Sequence, residues 1–162
     1  MSLATMEPAT SRRSLIGLAL CLVLVAGVAS LSALFMPGDW FRALIKPPLN
    51  PPDWVFAPVW TTLYICIAIA GWLIWRTSAA GRSAFTLWTV QLLLNAAWSP
   101  LFFGMERADL ALLDIIPMLI VIIATIVVGM RLRPLAAWLL VPYAAWVSFA
   151  SYLNAAIWYL NR

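Results

Sequence analysis

The sequence contains no histidine, only two cysteines and few charged residues. Without histidine there is no Ser-His-Asp or Cys-His catalysis, no imidazole metal ligand and no histidine-bound haem iron. Cys21 and Cys66 each lie inside an apolar run and form no C-x-x-C pair. They read as small apolar residues rather than as a disulfide or a zinc site, and no metal site is expected. Charged residues make up 10% of the chain, where a soluble domain carries about a quarter. What is present instead is apolar: 65% of 162 residues are hydrophobic. So short a chain folds with much of its surface exposed. The apolar excess must therefore meet lipid, and the expected class is an all-α membrane protein.

The net charge of +4 comes from ten Lys/Arg residues spread in ones and twos between apolar runs. They form no stripe along one face, so nucleic acid is not an expected partner. Basic residues of this kind flank membrane spans. Residues 1–13 read as a disordered polar tail, and residues 14–162 as a single five-helix transmembrane domain. The expected helices cover about 15–35, 55–75, 84–103, 110–130 and 135–159, each near the length that crosses about 30 Å of hydrocarbon. The first run also has the basic start and small residues of a signal peptide. Its span length and the bulky Leu20 before Cys21 favour a retained helix. A membrane barrel would show short alternating segments, which are missing. Pro134 suits a first helical turn. Arg12, Arg13, Arg76, Arg82, Arg131 and Arg133 fall on one side, against Arg42, Lys46, Arg107 and Arg162 on the other. That bias favours a cytoplasmic N terminus in a bacterial inner membrane, with an outer membrane left open.

The segment between the first two helices, MPGDWFRALIKPPLNPPD (Met36–Asp53), holds five of the eleven prolines. Proline fixes its own φ and biases the preceding residue towards extended backbone, so this loop is stiff and orders at low entropic cost. Trp40, Phe41, Leu44, Ile45 and Leu49 suit it to fold back onto the bundle, as a structural plug or as a lid over a ligand.

The unusual residues within the spans fall mostly in the half beneath this loop. Trp60 lies about 8 Å below Val55, with Tyr64 one turn deeper. Gln91, Asn95 and Trp98 share one helix face, as do Tyr143, Trp146, Ala150 and Leu153, continuing towards Asn154. Asp114 lies about one turn into its helix from the same side. Polar groups in hydrocarbon face protein or a water-filled cavity, so Asn95 and Asp114 are expected to point inward. Asp114 is either a proton-handling or ligand-binding acid, or a structural tie between helices. Trp72, Trp75, Trp88, Trp138 and Trp158 read as interfacial belts. Trp60, Trp98 and Trp146 are candidates to line a flat apolar pocket, with core packing as the alternative.

Three segments carry a resemblance: WFRALIKPPLNPPDWVFAPVWTTLY from Trp40, NAAWSPLFFGMER from Asn95 and PYAAWVSFASYLN from Pro142. Together they resemble the tryptophan-rich sensory protein, or translocator protein, family, formerly the peripheral-type benzodiazepine receptor family. The likeness runs from about Trp40 to Asn161. It implies a five-helix bundle that binds porphyrins such as protoporphyrin IX in an aromatic pocket, with haem, sterol or benzodiazepine-type ligands in some members and no required cofactor. The family's pocket positions fall on Trp60, Tyr64, Asn95, Trp98, Trp146, Ala150 and Leu153, with Trp40 and Pro47 in the covering loop. Phe41, Asp114 and Tyr143 complete the candidate binding set. Trp60 and Trp146 match the tryptophans that some bacterial members use in light-dependent porphyrin breakdown, which is the enzymatic alternative to binding, sensing or transport. Phe41 stands where many relatives have tyrosine, and Leu49 where a loop tryptophan is common. Ala155 occupies the tyrosine position of the sterol motif, which argues against sterol. Several relatives dimerise, and Ala29-xxx-Ala33 offers a small-residue motif for a homodimer.

Overall fold

The computed structural model describes residues 12–77 and 81–162. Of the expected disordered tail, residues 1–11 lie outside the described residues, and Arg12 and Arg13 already belong to the first helix. Helix α1 covers Arg12–Ala33. It is followed by the five-residue α2, Asp39–Ala43. A 3-10 turn at Asp53–Val55 runs directly into α3, Phe56–Trp75. Helix α4 spans Arg82–Ser99, α5 Ala108–Leu132 and α6 Pro134–Leu160. No strand occurs among the described residues.

Local chemistry explains the boundaries. Asp39 sits in the first turn of α2, where a carboxylate opposes the positive end of the helix, and it pairs with Arg42 at 2.9 Å. The helix ends when Leu44 turns extended ahead of Pro47 and Pro48, so the Pro-rich segment holds a helical turn rather than loop alone. Helix α4 was expected to run to Phe103, yet its α-turns stop at Ser99. Pro100 has no N–H to continue the i→i−4 ladder, and Pro100–Gly104 widens into a π-turn in which the Met105 N–H donates to the Pro100 carbonyl at 2.8 Å. Glu106, at φ 56°, then breaks the chain away. Pro117 and Pro142 lie inside α5 and α6 without ending them, as membrane helices tolerate. Pro134 takes the first turn of α6.

Among the described residues four stretches are long and apolar enough to cross a membrane: Arg12–Ala33, Asp53–Trp75, Ala108–Leu132 and Pro134–Leu160. Helix α4 is the exception among the five long helices. Arg82, Gln91 and Asn95 dilute its apolar content, and both Gln91 and Asn95 are buried inside the bundle.

The long helices pack with alternating direction. Gly17 of α1 meets the Trp75 ring of α3, and Gly71 of α3 meets the Trp88 ring of α4. Gly129 near the end of α5 faces Ala137 near the start of α6. At Gly71 any Cβ would collide with the indole. That notch lets Trp88 lie fully buried, stacked on Phe85 at 5.3 Å, with its N–H donating to the Ile67 carbonyl at 2.9 Å. Trp88 is therefore a core residue rather than part of an interfacial belt. Trp72 also turns inward, donating to the Ser14 carbonyl at 2.9 Å. Trp138 is exposed. One end of the bundle, the loop end, gathers the close of α1, α2, the starts of α3 and α5 and the close of α6. Arg12, Arg13, Arg76, Arg82, Arg131 and Arg133 mark the other.

Candidate functional site

The site is built from α3 to α6 in the loop-end half. Helix α3 supplies Trp60 and, one turn deeper, Tyr64, whose rings lie 5.3 Å apart. Trp60 also meets the Tyr143 ring of α6 edge-on at 6.3 Å. Asn95 of α4 links the two phenols: it accepts from the Tyr64 hydroxyl at 3.1 Å and donates to the Tyr143 oxygen at 2.9 Å. The Tyr143 hydroxyl in turn points its proton at the Met118 sulfur of α5, 3.7 Å away. One residue from each of four helices thus joins a single polar chain with no water needed. Such a chain fixes helix rotation, because each misplaced member would leave a polar atom bare in hydrocarbon.

Asp114 and Trp146 each leave a buried polar atom without a partner on the loop-end side, as Gln91 Oε1 does one turn deeper than Asn95. Asp114 precedes Met118 by one turn and so shares its helix face on the loop-end side. Its Oδ2 is buried and has no hydrogen-bond partner. Trp146 follows Tyr143 by three residues, again towards the loop end. Its ring packs on Phe56 at 5.8 Å and Phe149 at 5.8 Å, and its Nε1 is likewise buried without a partner. Nearly all buried polar atoms in proteins are paired, so one acceptor and one donor without partners at similar depth are unusual.

Trp98 packs both on the main core, as Trp60 and Trp146 do, and on the cluster under the loop. It stacks on Phe102 at 4.9 Å and donates to the Asn154 Oδ1 at 3.1 Å, while Asn154 donates to the Ala108 carbonyl at 2.7 Å. The π-turn aims Phe102 and Phe103 at the loop. Trp40 meets Phe102 at 5.6 Å, Phe41 meets Phe103 at 5.4 Å, and the Lys46 ammonium lies 4.6 Å over the Phe41 ring. Phe41 and Pro47 are buried. At the far edge Asn161 binds the Ile45 backbone, accepting from its N–H at 2.9 Å and donating to its carbonyl at 3.0 Å. The loop is thus docked on the closing turns of α4 and α6.

The TspO/MBR family pattern matches residues 18–160. The chain belongs to the TspO/MBR family. A Tryptophan-rich protein TspO of Chlorobaculum tepidum is 40% identical over 156 residues, 92% of this chain and 98% of the relative. The human Translocator protein is 39% identical over 127 residues, covering 76% of this chain and 75% of its own length. The Tryptophan-rich sensory protein of Cereibacter sphaeroides is 36% identical over 133 residues, 82% and 84% of the two chains. With its apolar helices, this TspO/MBR member is a multi-pass membrane protein.

Among the residues singled out in this TspO/MBR chain, Trp60, Tyr64, Asn95 and Tyr143 come together, with Asp114 and Trp146 beside them. Ala150 is half-buried against the same core and Leu153 is buried. Trp98, Trp40 and Phe41 form the second cluster around Phe102. Asn95, expected to offer a ligand a hydrogen bond, has its amide committed to the two tyrosines. Asp114 lies inside the bundle with its Oδ2 buried and unbonded among the described residues. Sequence reasoning passed over Phe56, Met118, Phe102 and Asn161. Phe102 and Phe103 stood in the NAAWSPLFFGMER motif, but nothing there announced a π-turn. Asn161 gave no signal, being one polar residue at a helix end.

Proposed function

We propose that this protein is a five-span membrane protein that binds porphyrins, protoporphyrin IX foremost, in the aromatic half of the bundle beneath the Pro-rich loop. The observation that carries this reading is the pairing of Trp60, Tyr64, Tyr143 and Trp146 with two unpartnered polar atoms, Trp146 Nε1 and Asp114 Oδ2. Indole and phenol faces suit a flat macrocycle by offset stacking. The bare acceptor and donor offer fixed points to a ligand that carries pyrrole N–H groups and carboxylates. The lack of histidine favours the metal-free ring over a ligated haem. Helix α4 is the fifth span, its polar residues turned inward. A cytoplasmic N terminus, a role in tetrapyrrole sensing or transport, and a homodimer with Ala29 and Ala33 of α1 at its face belong to the same reading.

A titration of the purified protein with protoporphyrin IX, followed by tryptophan quenching, tests it. Trp60→Phe and Trp146→Phe should each weaken binding. Unchanged affinity in both variants removes the site.

A second reading is light-dependent porphyrin breakdown with Trp60 and Trp146 as electron donors. It is favoured by the contact of Trp60 with two phenols, Tyr64 and Tyr143, which are oxidisable neighbours able to refill an indole radical. Illumination of the complex should bleach the porphyrin and yield a product, and the double phenylalanine variant should not. Bound porphyrin that survives illumination unchanged leaves binding alone.

A further inference from the structure

The end of the bundle away from the loop has its own electrostatic character. Arg12, Arg13, Arg76, Arg82, Arg131 and Arg133 all lie there and all are exposed. Among the described residues the acids Asp39, Asp53, Glu106, Asp109 and Asp114 belong to the opposite half. The two ion pairs, Arg42–Asp39 and Arg107–Asp109, are also at the loop end. The arginine end therefore has no internal counter-charge among the described residues.

A cavity of about 570 Å³ opens at this end between the close of α3 and the start of α4. Ile74, Trp75 and Phe85 provide its apolar wall, while Thr77, Thr86 and Arg82 line its polar side. The wall is held from behind. Trp75 is pressed against Gly17 of α1, where a Cβ would collide with its ring, and Phe85 is stacked on the buried Trp88. The two threonine hydroxyls spend their protons on the Ile74 and Arg82 carbonyls, at 2.6 and 3.0 Å. Among the described residues the Arg82 guanidinium has no hydrogen-bond or ion-pair partner. Close by, the Arg76 guanidinium lies 4.9 Å over the Trp72 ring.

We infer that this cavity is a binding site for one anionic phospholipid, with the phosphate on Arg82 and an acyl chain against Trp75 and Phe85. The chemistry of the walls selects this occupant. A soluble anion would use the arginine and leave the aromatic surface bare, and an apolar molecule would leave the guanidinium bare. A phospholipid at the end of a span presents both parts in the right order, headgroup outermost and chain towards the membrane interior. Basic pockets between spans hold anionic headgroups by this logic. Guanidinium favours phosphate because it delivers paired N–H donors in a fixed fork. The surplus of six arginines, with no neighbouring carboxylate among the described residues, favours a lipid with net negative charge over a zwitterionic one. The site lies at the opposite end from the proposed porphyrin site and does not depend on it.

Native mass spectrometry of the full chain, delipidated in detergent and then offered phosphatidylglycerol, phosphatidylcholine or inorganic phosphate, reads the site directly. One phosphatidylglycerol should be retained in preference to phosphatidylcholine. Arg82→Gln should weaken retention about tenfold, the loss expected for one charge-assisted phosphate contact. Arg82→Lys should retain most of it, and Phe85→Ala should weaken it by a similar factor through the chain. Arg131→Gln, which removes the same charge at the same end outside the cavity, should leave it nearly unchanged. Equal losses in Arg82→Gln and Arg131→Gln would mean diffuse surface attraction and overturn the site. Equal retention of phosphatidylcholine, or full competition by inorganic phosphate, would overturn the lipid. The wild-type lipid preference and the Phe85 variant decide the matter if Arg82→Gln does not fold.

Discussion

Asn161 holds Ile45 by its backbone: the side-chain amide accepts from the Ile45 N–H at 2.9 Å and donates to the Ile45 carbonyl at 3.0 Å, across 116 residues of sequence. The same Nδ2 also donates to the Ile157 carbonyl at 2.7 Å, which keeps the amide oriented on α6. An asparagine amide reproduces the donor and acceptor of a peptide group, so this contact is a single rung of strand-like pairing between a loop and a helix end. Asn161→Ala removes both exposed hydrogen bonds to the loop, along with the one to Ile157, and should release the loop locally at a cost of about 1–2 kcal/mol. Hydrogen exchange at the Ile45 amide should accelerate on the order of tenfold, since about 1.4 kcal/mol is a factor of ten, while exchange in α5 stays unchanged. An unaltered Ile45 rate would show that Phe41 and Trp40 hold the loop without Asn161.

The chain Tyr64–Asn95–Tyr143–Met118 should behave as one unit. Tyr143→Phe removes the oxygen that receives the Asn95 proton and should cost about 1 kcal/mol, typical of inter-helix hydrogen bonds in membranes. Asn95→Leu strands both phenols and should cost more than Tyr143→Phe. A double-mutant cycle on thermal midpoints in detergent checks this: additive losses would mean the two residues act separately.

Gly71→Ala places a methyl group into the Trp88 ring and should destabilise by about 1–3 kcal/mol through overpacking. Gly27, on α1, has open space around it, so Gly27→Ala should be neutral or slightly stabilising, because alanine favours helix by up to about 1 kcal/mol. Melting curves of the two variants should move apart. Equal shifts would deny the notch.

Asp114 tests the polar fixed points of the proposed porphyrin site. Asp114→Leu should lower protoporphyrin IX affinity about tenfold, whereas Asp114→Asn, which keeps an acceptor oxygen, should lose about twofold or less. Equal retention of affinity in both variants would place the ligand elsewhere.

Membrane class, helical build and the positions of most helix ends were legible because they depend on local quantities: the length of apolar runs, prolines and charged breaks. Asn95 was recognisable as inward-facing because a polar residue in hydrocarbon has few alternatives, and it is buried. Which partner it would take was not legible. Trp60, Trp98 and Trp146 share depth, and Trp98 and Trp146 each share a helix face with other candidates, but neither coordinate says which rings meet across helices. Rotation about the helix axis, set by Gly71 admitting Trp88 and by the Tyr64–Asn95–Tyr143 chain, stacks Trp98 on Phe102 while it also packs on the main core. Trp88 was misplaced for the same reason, as proximity to a helix end does not say whether a notch waits across the interface.

By itself, the sequence determined that this chain enters a membrane as helices, that it carries no imidazole chemistry, and that a Pro-rich segment joins its first two spans. Hydrophobicity, backbone stiffness and residue inventory require no partner. The tertiary structure alone decided that Asn95 is spent on two tyrosines, that Asp114 and Trp146 keep polar atoms free, and that Asn161 fastens the loop. Each of these is a meeting of residues far apart in the chain, and only packing among the helices brings them within hydrogen-bond reach.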